Sequence, residues 1–183
     1  NARYHPVNDA AANMTSQLRS RQLSIVIPVL DEAAGIADLL TSLHDLRQNG
    51  AEVIVVDGGS NDDTARLAAP HADQVISAPR GRGAQMNAGA AAACGSMMIF
   101  LHADTRLPAA AETLIVQAID RGAIWGRFDV KIEGQAAGLG LIAFMMNWRS
   151  RLTGIATGDQ AIFVTKAAFT ATDGFADIPL MED

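Results

Sequence analysis

Apolar residues fall along the chain in two rhythms. Leu23–Val29 (LSIVIPV) and residues 52–56 (EVIVV) are short, continuous, β-branched runs, the pattern of strands covered on both faces. Between them Ile36, Leu39, Leu40, Leu43 and Leu46 recur at helical spacing, and Gly50 stands where that helix would end. Ser60 and Asp63 form a capping-box pattern ahead of the next helix. Gln74–Ser77 reads as a third strand, residues 83–94 as a small-residue helix able to pack close to a sheet, and residues 97–101 (MMIFL) as a fourth strand. Pro108 marks a helix start, with the helix running to Arg121 and closed by Gly122. From residue 123 the rhythm becomes alternation. Within 125–133, Phe128, Val130 and Ile132 share one face, as in a more exposed, antiparallel strand. A helix over 136–152, a strand over 161–165 and a short helix over 166–172 complete the series.

Strand and helix in alternation, joined by short connections, predict an α/β fold with a mostly parallel central sheet and right-handed crossovers. In such sheets ligands bind beyond the carboxyl ends of the strands. Those ends carry Pro28-Val29-Leu30-Asp31-Glu32, Asp57-Gly58-Gly59-Ser60 and His102-Ala103-Asp104. Three buried strands in succession deliver an acid to one edge, which points to a site.

Composition narrows the classes. The 183 residues suffice for one domain that buries about two-thirds of its unfolded surface. Hydrophobic residues at 49% and charged ones at 19% are those of a globular chain, not a disordered one. A formal charge of −6 argues against nucleic acid as a partner and leaves carboxylates for metal or acid–base work. One cysteine, Cys94, fits a reducing compartment; its alanine-rich setting suggests a small buried residue. Residues 1–22 are polar and unpatterned, begin without methionine and read as a tag or disordered extension outside the fold, with Met14 a candidate native start. No apolar run reaches bilayer length; residues 139–146 read as a buried helix rather than a membrane-surface one.

Each chemical candidate has a structural reading beside its functional one. Asp57-Gly58-Gly59-Ser60 either lets a backbone approach a ligand, with Asp57 accepting from a ribose or base, or is a tight turn whose aspartate caps a helix. Residues two apart on an extended segment point the same way, so His102 and Asp104 can face one ion. A carboxylate suits Mg²⁺ or Mn²⁺, and imidazole suits Mn²⁺ better; His102 can equally be a histidine bonded to backbone. Arg80-Gly81-Arg82-Gly83 puts two guanidinium groups before a helix N-terminus, a phosphate-binding arrangement or a solvated basic loop. It is neither a dinucleotide fingerprint nor a Walker loop. Glu182-Asp183 offers a general base or an acid-rich helix start.

Taken together, SIVIPVLDE (24–32), VIVVDGGSNDDT (53–64) and FLHADT (100–105) resemble the inverting family-2 glycosyltransferases of GT-A fold. RGRGAQMNAGA (80–90), WGRFDV (125–130), GDQAIFV (158–164) and PLMED (179–183) are similar to a small bacterial subgroup, the selenodomain-associated transferases. The resemblance covers residues 23–183 and makes them the catalytic domain, with a smaller antiparallel element on the acceptor side. The family continues past the acid pair, so the C-terminal part is expected to be truncated or disordered here.

The resemblance implies a metal-dependent enzyme, with Mn²⁺ or Mg²⁺ as cofactor, that moves a sugar from a nucleotide-diphosphate donor, a UDP-sugar, to a hydroxyl or carboxyl acceptor with inversion. Pro28, Leu30, Glu32, Gly58 and Ala103 would line the donor site, and Asp57 would contact the uracil. Arg80, Arg82 and Asn87 would face the phosphates, and Asp159 and Gln160 the sugar or acceptor. Asp104, with His102, would hold the metal, and Asp183 or Glu182 would deprotonate the acceptor. His102 stands where the family has an acid, and Met86 where it has an arginine. A lipid-like acceptor, a homodimer and a cytoplasmic location at the inner membrane face are compatible with this reading. Two other readings are a sugar-1-phosphate nucleotidyltransferase, which would want a basic rather than the acidic VLDEAAG loop after the first strand, and a non-catalytic nucleotide-binding module.

Overall fold

Alternate residues of each apolar run face opposite sides of one sheet, and both sides are covered. The computed structural model describes residues 23–129, 131, 139–153 and 160–176. In chain order the elements are β1 (Leu23–Val29), α1 (Ile36–Ser42), α2 (His44–Gln48), β2 (Glu52–Asp57), α3 (Thr64–Ala68), β3 (Gln74–Ser77), α4 (Arg82–Ala92), β4 (Met97–Phe100), α5 (Ala111–Asp120), β5 (Trp125–Gly126), α6 (Leu139–Thr153), β6 (Ile162–Thr165) and α7 (Lys166–Ala171). The six strands lie in the order β3-β2-β1-β4-β6-β5. The first four are parallel; β6 runs antiparallel to both β4 and β5.

The two cores show why the strands read as unbroken apolar runs. On one face Ile25, Ile27, Val29, Val53, Val55, Ile99 and Leu101 pack with Ile36, Leu39, Leu40 and Leu43, and with Ile115 of α5. On the other, Val26, Ile54, Val56, Met98 and Phe100 meet Ala90 and Ala93. α4 lies directly on β1 and β2. A Cβ at Gly89 would come within 2.3 Å of Val26 Cγ1 and 3.0 Å of Val56 Cγ2, so glycine sets the approach. At the opposite edge Glu52 closes the sheet. Its carboxylate accepts from the Ser24 hydroxyl at 2.6 Å, the Cys94 amide at 2.8 Å and Gln74 Nε2 at 3.0 Å.

Several expectations from the sequence are corrected. The first helix breaks into α1 and α2 at Leu43, which is buried; Gly50 ends the pair at φ +106°. The capping box does not form. Ser60 instead bonds Asp57, and α3 starts at Thr64 without a side-chain cap on its N-cap residue Asp63. Pro108 opens a turn, its carbonyl accepting from Ala111 N–H at 2.9 Å, and α5 begins only there. Of the alternating segment, Trp125–Gly126 pairs with β6. Phe128 continues alongside, its N–H donating to Gln160 O at 2.8 Å, while Val130 and Ile132 lie outside the described residues. Cys94 is exposed, because it follows the end of α4 rather than sitting within it. In α6 the expected burial fails at Phe144 and Met145, which are 62% and 61% exposed; among its described side chains Ala143 and Ser150 are buried. No helix among the described residues is long and apolar enough to cross a membrane.

Candidate functional site

A cleft of about 270 Å³ opens at the carboxyl ends of β1 and β4, where the fold rule places ligands. Pro28, Val29, Leu30 and Glu32 line it from β1 and its loop, His102, Ala103 and Asp104 from beyond β4, and Arg80, Arg82 and Gln85 from the start of α4. Eight residues singled out from the sequence thus converge on one cavity: Pro28, Leu30, Glu32, Arg80, Arg82, His102, Ala103 and Asp104.

The loop after β1 is held against the loop after β2 by a ladder of side-chain bonds. Asp31 N–H donates to Ser60 Oγ at 2.9 Å, Glu32 N–H to Thr64 Oγ1 at 2.8 Å, and Ala33 N–H to Asp62 Oδ2 at 3.1 Å. In return Asp31 Oδ1 accepts from Asn61 N–H at 2.7 Å. This bond holds Asp31 at φ +54°, a conformation aspartate tolerates better than most residues. The Thr64 hydroxyl donates to Asp62, whose carboxyl is lowered mainly by that bond. Asp31 is therefore a loop-fixing residue, and Glu32 the acid the loop presents.

Charge in the cleft is mixed. Glu32 is raised above the ordinary carboxylate range first by burial, then by the negative charges of Asp104 and Asp62, with Arg82 opposing. A carboxyl that senses Asp104 in this way shares its field. His102 is buried beside it, while Asp104 is exposed and accepts from the Thr105 hydroxyl at 3.1 Å. No group of three or more His, Cys, Asp or Glu gathers among the described residues. The cleft offers a carboxylate and an imidazole, Asp104 and His102, both donor types that divalent cations accept.

Other sequence candidates stand elsewhere. Asp57 is buried with its carboxylate accepting from both the hydroxyl and the amide of Ser60, the turn arrangement, and it does not line the cleft. Gly58 lies over Gln85: a Cβ there would sit 3.0 Å from the carboxamide carbon. Asn87 clasps a backbone. Its Nδ2 donates to Phe175 O at 2.9 Å and its Oδ1 accepts from Phe175 N–H at 2.9 Å, which docks Phe175 against Phe100 and Phe169. Gln160 is buried behind β6, with Oε1 accepting from the Ser150 hydroxyl at 3.1 Å. Asp159, Glu182 and Asp183 lie outside the described residues.

Sequence reasoning missed Val29 and Gln85. The signal for Gln85 was available, since it stands one turn before Gly89 on the face of α4 that packs on the sheet, where the other buried positions, Gly89 and Ala90, are small.

Comparison with known proteins bears on the family and the fold. The model of the family described as Glycosyl transferase family 2 matches residues 24–168. Uncharacterized glycosyltransferases of Mycobacterium tuberculosis and Mycobacterium bovis are 33% identical over 102 residues, which cover 55% of this chain and 45% of each relative. The chain thus spans about half the length of the curated relatives it matches. Among solved structures, S. aureus TarS 1-349 in complex with UDP-GlcNAc superposes with a TM-score of 0.67 at 19% identity, over 85% of this chain and 48% of that one. Glucosyl-3-phosphoglycerate synthase from Mycobacterium tuberculosis, solved with Mn²⁺, UDP and glucosyl-3-phosphoglycerate, gives 0.60 at 21% identity, over 92% and 65%. These likenesses show a GT-A fold.

Proposed function

Because the chain belongs to glycosyltransferase family 2, we propose that its cleft binds a nucleotide-diphosphate sugar, a UDP-sugar, and that the protein transfers the sugar to a hydroxyl or carboxyl acceptor with inversion. The observation that carries this reading is the meeting of two arginines, the N-terminus of α4 and strand-end acids in one cavity. Arg80 and Arg82 offer planar donors to phosphate oxygens, and the first turn of α4 adds unpaired amides and a positive dipole end. Pro28 and Leu30 supply an apolar wall for the base. Mn²⁺-bound and UDP-bound structures of similar fold support the nucleotide and the metal.

Asp104, with His102 beside it, would hold the cation. When bound, a divalent ion there supplies Lewis-acid neutralisation of the charge gathering on the departing diphosphate. Positive charge entering the cleft would oppose the upward shift of Glu32, whose carboxylate would accept from hydroxyls of the sugar donor. Glu182 or Asp183 would take the proton from the acceptor as its oxygen attacks the anomeric carbon opposite the leaving nucleotide. A lipid-like acceptor and work at a membrane face are compatible with the exposed aromatics of α6.

Thermal melting tests the reading. UDP with Mn²⁺ at about a hundred times its Kd adds about 2.7 kcal/mol, a rise of roughly 5–11 °C for a chain of this size. Asp104→Ala is expected to abolish the Mn²⁺-dependent part. A wild-type protein whose melting no nucleoside diphosphate moves, with or without metal, would sink the proposal.

A further inference from the structure

We infer that Gln85 is a positioning residue for the nucleotide: its carboxamide locks the carboxyl ends of β1 and β2 into the shape that receives the donor. The inference rests on the donor reading given above. Gln85 is 3% exposed, on a helix whose other fully buried positions are Gly89 and Ala90. A primary amide is costly to bury there unless its N–H groups are bonded. Nε2 donates to Val29 O at 2.8 Å and to Val56 O at 2.8 Å. Those carbonyls belong to neighbouring parallel strands at their last rungs, where Val29 pairs with Asp57. Val29 O also accepts from Gly58 N–H at 3.0 Å, so α4, β1 and β2 are tied at a single point.

Location gives this knot its consequence. β1 passes from Val29 directly into Leu30 and Glu32, and β2 from Val56 into Asp57 and Gly58. Gln85 itself lines the cleft, one turn after Arg82, which also lines it. Gly58 leaves the carboxamide its room; a methyl there would stand 3.0 Å from Nε2. A cross-link that served only the sheet could sit on any rung. This one sits on the rung from which the cleft walls depart, and it fixes the pitch of the helix end that carries Arg82.

The chemistry allows no simple substitute. Leucine removes the donor that the two carbonyls share, leaving Val29 O only the Gly58 N–H, and a glutamate carboxylate faces two carbonyl oxygens with nothing to donate. Only when protonated can glutamate offer one O–H. The experiment is calorimetric titration of UDP with Mn²⁺ into the wild type, Gln85→Leu and Gln85→Glu, with melting curves alongside. Expected is an affinity about tenfold weaker for Gln85→Leu. Gln85→Glu should be equally weak at about pH 8 and regain most of the loss by about pH 5.5, read as its ratio to wild type at each pH. Affinities of both variants within about twofold of wild type across that range, whatever their melting temperatures, would overturn the inference and leave Gln85 a fold-holding residue. Should Gln85→Leu not fold, the pH series of Gln85→Glu decides alone. A wild type that binds no nucleoside diphosphate overturns the donor reading and this inference with it. A wild type that binds, beside variants that bind equally well, overturns this inference only.

Discussion

Glu32 joins the electrostatics of the cleft to the stability of the chain. Its carboxyl is raised by burial and by Asp104 and Asp62, so the charged form is less favoured in the folded chain than in the unfolded one. The stability this contributes is fully present below the ordinary value of 4.5 and is lost as pH rises through the higher folded value. Glu32→Gln removes the penalty at neutral pH. The variant should therefore gain on wild type as pH rises from about 4 to about 7. Urea denaturation at the two pH values measures it. A difference that does not change with pH would mean that neither burial nor those acids act on Glu32 in solution as described. Asp57 teaches the converse lesson at the same scale. An acid after a buried strand is legible in sequence, but where its carboxylate turns depends on Ser60, three residues later, which captures it.

At the scale of elements, the sheet and its site edge were readable because burial on both faces leaves β1, β2 and β4 apolar except at Ser24, Glu52 and Asp57. Boundaries were less readable. Proline fixed a turn rather than the first residue of α5, and the supposed capping box dissolved once Asp57 claimed Ser60. Which polar residues serve the core was readable only in part: Gln85 shares the face of Gly89, whereas Asn87 is marked by nothing local and meets Phe175 across the fold. The small-residue reading of α4, in contrast, leads to a quantitative expectation. Gly89→Ala gains up to about 1 kcal/mol of helix propensity. It also drives a methyl to 2.3 Å from Val26 Cγ1, and overpacking of this kind costs about 3 kcal/mol. The clash wins, so the variant should lose about 2 kcal/mol in urea denaturation. A stabilised Gly89→Ala would show that α4 does not lie on β1 and β2 as closely as described.

Over the whole molecule, apolar residues are unevenly shared between core and surface. Leu39 and Ile115 are at most 1% exposed, whereas Phe144, Met145 and Trp148 of α6 are 62%, 61% and 56% exposed, with the two rings stacked at 6.2 Å. Hydrophobicity alone made this helix look buried, because a run of apolar residues does not say on which side the rest of the protein lies. The two environments predict different losses. Truncating Leu39 or Ile115 to alanine removes packed methylenes and costs about 2–5 kcal/mol each. Phe144, Met145 and Trp148 changed together to glutamine lose little that the fold uses: exposed pairs at i, i+4 contribute only about 0.2–0.5 kcal/mol. The triple variant should therefore unfold within about 1.5 kcal/mol of wild type, or roughly 6 °C in melting temperature. A loss as large as that of a core truncation would mean that this face of α6 is covered in solution, and its dependence on protein concentration would then tell a second copy from the chain itself.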